Sequence, residues 1–233
     1  MREKTQRGPH TLYEKSINGI PKVSQPVDVL ANDYLSKNDS REKAAKQFVN
    51  YQVAKCTTSG FVTGLGGLIT LPVAIPVNVS SVMYVQMRMI ACLAYMGGYD
   101  TNSDQVQTLV YACLAGISID QIIKQAGIKF GTKFTTAMVK KIPGTVLTKI
   151  NQKVGFRFLT KFGENGIINI AKLVPVVGGV IGGGFDLVGT KVIANRAYKM
   201  FIKGDFSSLD DKNDDEFVSE EINIIETLDK SAN

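Results

Sequence analysis

The chain has no tryptophan, a single histidine (His10) and three cysteines. One imidazole cannot supply a multi-histidine metal centre, and Cys56, Cys92 and Cys113 are widely spaced with no CxxC pair. A zinc site is therefore not expected. The cysteines sit in apolar surroundings and read as buried, reduced thiols of a cytosolic protein. The N-terminal stretch MREKTQRGPHTLYEK lacks the apolar core of a signal peptide, which predicts that the chain stays in the cytoplasm. Neither a nucleophile–base pair nor a metal-ligand cluster stands out. No enzymatic activity, metal or cofactor is expected, and the sequence leaves the oligomeric state open.

Charge is the next absence. From Cys56 to Met87 the chain runs 32 residues without one. This block carries Gly60, Gly64, Gly66 and Gly67, then Pro72 and Pro76. A second apolar, glycine-rich block, Leu173-VPVVGGVIGGG-Phe185, follows about a hundred residues later. Glycine costs backbone entropy, so two such blocks imply helices that pack very closely. Gly178 and Gly182, and likewise Gly179 and Gly183, are four apart and line one helix face, as small residues do at close crossings. A membrane hairpin over residues 60–90 has the length, but the prolines, Asn78, Ser80, Ser81 and Gln86 oppose it. Nucleotide binding fares no better. After Gly64 and Gly66 the third glycine of a dinucleotide fingerprint would fall at Ile69, and in Gly184-FDLV-Gly189-Thr190-Lys191 the P-loop Lys and Thr are reversed.

Acids are scarce over a long internal stretch. Residues 121–163 contain none, against nine bases. Within it Lys149, Lys153, Arg157 and Lys161 recur every four residues beside an apolar face of Val146, Leu147, Ile150, Val154, Phe158 and Phe162. Such a basic amphipathic helix suits an anionic membrane surface, and equally an ordinary half-buried helix with solvated lysines. Nucleic acid is disfavoured, because no helix-turn-helix spacing or aromatic pattern accompanies the bases. Residues 205–233 invert the balance, with ten acids and two bases, while residues 1–204 carry a net charge of +14. A mean hydropathy of +0.04 fits a helical domain that touches a bilayer or an apolar partner.

Helical spacing dominates and strand alternation is hard to find, so the fold class is all-α: one compact bundle with close glycine-mediated crossings. Residues 1–26, with Pro9, Pro21 and Pro26, predict a flexible, extended arm. Residues 27–204 form the helical domain, and residues 205–233 an acidic tail with amphipathic helical spacing from about Asp214 to Lys230. Asp39 and Glu42 have capping-box spacing and start a helix to about Lys55. Pro76 opens a long helix to Met96, which Gly97 and Gly98 end. Asn102 with Gln105 caps the next helix, to about Ala115. Ile119 to Lys140 is read as one helix, Pro143-Gly144 as a break, Thr145 to Phe162 as amphipathic, and Pro175 as the start of a last helix to Lys203. Two charges stand alone in apolar surroundings, Arg88 and Asp186. A buried charge needs a partner, so Arg88 is expected to pair with Asp186 or Asp100.

Three blocks together resemble the EcsC family, named for a bacterial protein encoded beside an ABC transporter: Gly64-LGGLITL-Pro72-VAI-Pro76, Arg88-MIACLAYMGGY-Asp100 and Pro175-VVGGVIGGGF-Asp186. The resemblance covers about Ala44 to Lys203, and it departs at Met96-Gly97-Gly98-Tyr99, where an aromatic before a single glycine is commoner. It implies a helical, cytoplasmic protein linked to membrane or transport systems, with no settled activity. The expectation is a protein peripherally associated with the inner face of the membrane, acting by binding. Its partner would be the anionic membrane surface or a membrane transporter component. The alternatives are a hydrolase of a lipid or peptide, with Arg88, Asp100 and Asp186 lining its pocket, and a soluble interaction module for a transporter's cytoplasmic domain.

Overall fold

The computed structural model describes residues 3–57, 77–128, 133–162 and 183–206. The glycine–proline block around Gly64, Gly66, Gly67, Pro72 and Pro76 lies outside them, as do Pro175, Gly178, Gly179, Gly182 and the tail beyond Phe206. Among the described residues the fold is all-α, and no helix is long and apolar enough to cross a membrane.

The helix Val77–Met96 (α4 in chain order) organises the core. From Met83 to Met96 nearly every side chain is buried, on all faces of the helix. A helix apolar all round has to be enclosed by others. Around it pack α1 (Glu3–Asn18), α2 (Val27–Ser36), α3 (Arg41–Thr57), α5 (Asp104–Ala115) and α9 (Gly183–Ala197). Its end is fixed locally. Gly98 takes φ +84°, its N–H donates to Tyr95 O, and Tyr99 N–H donates to Ala94 O. This pair of bonds satisfies the last carbonyls of the helix. The same device closes α5 at Gly116, φ +72°, with Ile117 N–H donating to Ala112 O.

The N-terminal segment corrects the expectation of an extended arm. Glu3–Asn18 is a helix, and Leu12, Tyr13 and Ser16 are buried on one side of it. Their spacing of one and four residues makes a helical face, which the nearby prolines obscure. Tyr13 Oη donates to Thr101 O at 2.7 Å, and its ring meets Tyr111 edge-on at 5.6 Å. The tight turn that follows places Gly19 at φ +76° and Lys22 at φ +67°. Ser24 Oγ lies 2.6 Å from the Tyr84 hydroxyl on α4, which pins that turn to the core.

Two caps shift by one residue. Ser40, not Asp39, accepts the free N–H of α3 from Lys43, at 3.2 Å, while Asp39 pairs with the Lys43 ammonium at 3.1 Å. Ser103, not Asn102, caps α5 by accepting from Val106 N–H. The helix expected over Ile119–Lys140 is two short ones, α6 (Asp120–Gln125) and α7 (Thr136–Lys140). Gly127 at φ +76° ends the first, and Thr135 caps the second through Met138 N–H. After Pro143, α8 (Gly144–Phe162) packs against α5 and α6.

Past Ala197 the backbone widens into a π-helical turn, Tyr198–Ile202. The extra residue per turn brings Met200 and Phe201 both inside. Phe206 is buried too, against Phe134 at 4.5 Å between ring centroids and Phe201 at 6.3 Å. The folded unit thus reaches past Gly204, where the acidic tail was expected to begin.

Candidate functional site

Among the described residues singled out by the sequence, Arg88 and Asp100 have separate partners. Arg88, on α4, donates from one guanidinium nitrogen to Ser16 O at 3.1 Å and from the other to Gln25 O. Both carbonyls belong to the segment that leaves α1 and enters α2, so this cation fastens the N-terminal pair of helices to the core. Asp100 lies in the turn after α4, exposed, and its carboxylate accepts from Asn102 N–H at 3.0 Å. Arg88 and Asp100 form no ion pair with each other among the described residues. Gly183 opens α9 and Asp186 follows within its first turn; the Asp186 side chain lies outside the described residues.

A second cation, more deeply buried than the half-buried Arg88, was not singled out by the sequence. Arg196 on α9 is buried and donates to Cys113 O on α5 at 3.2 Å. A Cβ on Gly116 would come within 2.6 Å of its guanidinium, so that glycine makes room for the arginine as well as turning the chain. In sequence Arg196 stands among Ile193, Ala194, Ala197 and Met200, and the apolar spacing on either side of it was the available sign of its burial. Buried thiols complete this core: burial pushes Cys92 and Cys113 up to about 12. Cys56 lies outside the residues whose side chains are described.

The basic stripe is the group whose side chains do reach the surface. Val146, Leu147, Ile150 and Val154 are buried along one side of α8, and Asn151 Nδ2 donates to Thr108 Oγ1 on α5 at 3.3 Å. Lys149 and Lys153 are exposed, Arg157 is half-buried, and Lys161 stands in the last turn with its side chain outside the described residues. The graded burial follows from geometry. A four-residue step on a helix of 3.6 residues per turn advances about 40° beyond a full circle. Four bases at that spacing therefore wind round the helix instead of lying along one line.

Continuing the exposed line by three residues from Lys153 reaches Phe156. Its ring is 69% exposed, the highest among the large exposed apolar residues described, ahead of Tyr51 at 50%. The sequence reading assigned Phe158 and Phe162 to the apolar face and passed over Phe156. The seven-residue interval from Lys149 was the available signal, since seven residues nearly close two turns. Next to it in sequence, a Cβ on Gly155 would meet nothing within 4 Å, so the helix surface at that position is open.

The described residues form a helical domain built on one enclosed helix, with Lys149 and Lys153 exposed on α8. The EcsC protein family matches over residues 37–203, and the chain belongs to that family. No curated protein and no solved structure is similar enough to match. The matched span begins just after α2, and Lys203 at its end pairs with Glu42 near its start at 2.7 Å. That contact lowers the Glu42 carboxyl and raises the Lys203 ammonium from their ordinary ranges, each through the hydrogen bond to the other.

Proposed function

We propose that the protein works by binding, not turnover, at an anionic membrane surface, with α8 as the contact. The observation that carries this reading is the pair of exposed ammonium groups, Lys149 and Lys153, on a helix whose other side is buried against α5. The core holds the helix in place, so its backbone needs no ordering on contact. The acid-free stretch over residues 121–163 keeps repulsive carboxylates off the same segment. On this reading the protein sits on the inner face of the membrane as a peripheral accessory to a transport or secretion system. The hydrolase alternative has less support, because Arg88 is engaged with Ser16 and Gln25 carbonyls and Asp100 with a turn.

Flotation of the full chain with phosphatidylglycerol-containing vesicles, beside pure phosphatidylcholine vesicles, tests the proposal. Binding is expected only with the anionic lipid, weakening as salt screens the ammonium groups. K149E/K153E should abolish it while melting like the parent, since both side chains are exposed. Equal binding to both vesicle types, or unaltered binding by the double variant, would overturn the reading.

A further inference from the structure

We propose that Phe156 is the membrane anchor of this surface: its ring enters the acyl region of an anionic bilayer while Lys149 and Lys153 engage the headgroups around it. The inference rests on the membrane reading above and adds an apolar step to an electrostatic one.

Three features of the structure carry it. Phe156 is 69% exposed although α8 is well anchored, with Ile150 fully buried and Val146 and Val154 nearly so. The helix could turn no further to hide the ring without exposing that buried side. Lys149 lies seven residues before Phe156 and Lys153 three before it, so both cations share the ring's side of the helix, toward its N-terminal end. Lysine stems lie along apolar surface while their ammonium groups stay at headgroup level, which matches a ring seated below them. Gly155, next to Phe156 in sequence, adds no side chain, and a Cβ there would meet nothing within 4 Å.

Charge chooses the occupant. A second copy would bring two acid-free basic segments face to face, which repel. A nucleic acid would stack one base on the ring, but a single ring makes no stacking track and no helix-turn-helix spacing accompanies the lysines. An anionic bilayer supplies both the negative surface and the apolar layer beneath it.

The absence of tryptophan makes the test direct. F156W in the full chain creates a single emitter at the proposed anchor. Its emission should be solvent-like in buffer. With vesicles of equal parts phosphatidylglycerol and phosphatidylcholine it should shift to the blue, and brominated acyl chains should quench it. F156S should lower affinity for those vesicles roughly tenfold or more, the loss expected when a large apolar side chain stays in water, with an unchanged melting temperature. If F156W co-floats with the vesicles but is neither shifted nor quenched, and F156S binds like the parent, the anchor is overturned and the electrostatic reading stands. Failure of the parent chain to float at all removes both. Emission already blue in buffer and indifferent to vesicles would show the ring covered by the chain's own tail or a second copy, which also overturns the lipid assignment.

Discussion

At Gly97 an added Cβ would lie 2.3 Å from the Phe201 carbonyl oxygen, a backbone atom held in the π-helical turn. At Gly155 an added Cβ meets nothing within 4 Å. The same substitution should therefore act in opposite directions. Gly97→Ala should lower stability by about 1–3 kcal/mol through overpacking. Gly155→Ala should raise it by about 0.5–1 kcal/mol, because glycine inside a helix costs that much relative to alanine. Urea midpoints of the two variants check both signs. The buried thiols make a separate prediction. Burial raises Cys92 and Cys113 to about 12 from an ordinary 9.0, and raises Tyr99 to about 12 from 10.0. Groups raised on folding contribute stability that is intact below their unfolded values and lost as pH climbs toward the folded ones. The melting temperature should hold up to about pH 9 and fall steadily between about pH 9 and 12. Both thiols should resist alkylation in the native protein and react once it is unfolded in denaturant.

At the scale of elements, the segment after α9 is held by aromatic packing. Phe206 is buried against Phe134 and Phe201, Phe134 N–H donates to Gly204 O, and Asp205 N–H donates to Lys199 O. Phe206→Ala should cost about 3 kcal/mol, as deletion of a buried ring does. A chain ended after Gly204 should show a similar loss by thermal melt, since it lacks Phe206. The burial of Phe206 was not legible in the sequence, because the charge inversion already begins at Asp205. What was legible had local causes. Gly97 and Gly98 mark the end of α4 because left-handed closure favours glycine there, and the apolar run into Met96 marks an enclosed helix. The caps came out one residue off because Asp39 and Ser40, like Asn102 and Ser103, compete for the same N–H groups. The break between α6 and α7 was hidden, since Gly127 alone also reads as a tolerated glycine inside a helix. For α1 and Arg88 the reason is tertiary: the partners of Tyr13 and Arg88 are 88 and 72 or 63 residues distant. The bases of α8 were legible as composition and only in part as geometry, because a four-residue repeat suggests a straight stripe and the helix winds it round to the half-buried Arg157.

Over the whole molecule the charges divide into two blocks of opposite sign, and the membrane reading makes that division measurable. Residues 207–233 hold nine acids and two bases. Deleting them takes the net charge from +6 to +13 and leaves Phe206 and its packing in place. Every retained contact between α8 and an anionic vesicle would then form against less repulsion from the tail. A chain ending at Ser207 should bind phosphatidylglycerol vesicles several-fold more tightly than the full chain at low salt. The gap should narrow at physiological ionic strength, where the screening length falls to about 8 Å. Titration of both chains by co-sedimentation at the two salt concentrations measures it. Phosphatidylcholine vesicles should show no difference, because no surface potential distinguishes the chains there. The K149E/K153E variant should lose the gain from truncation, since deletion strengthens attraction only where the basic face makes the contact. A truncated double variant that still bound tightly would move the contact to another basic surface, such as exposed Lys140 and Lys141 at the end of α7.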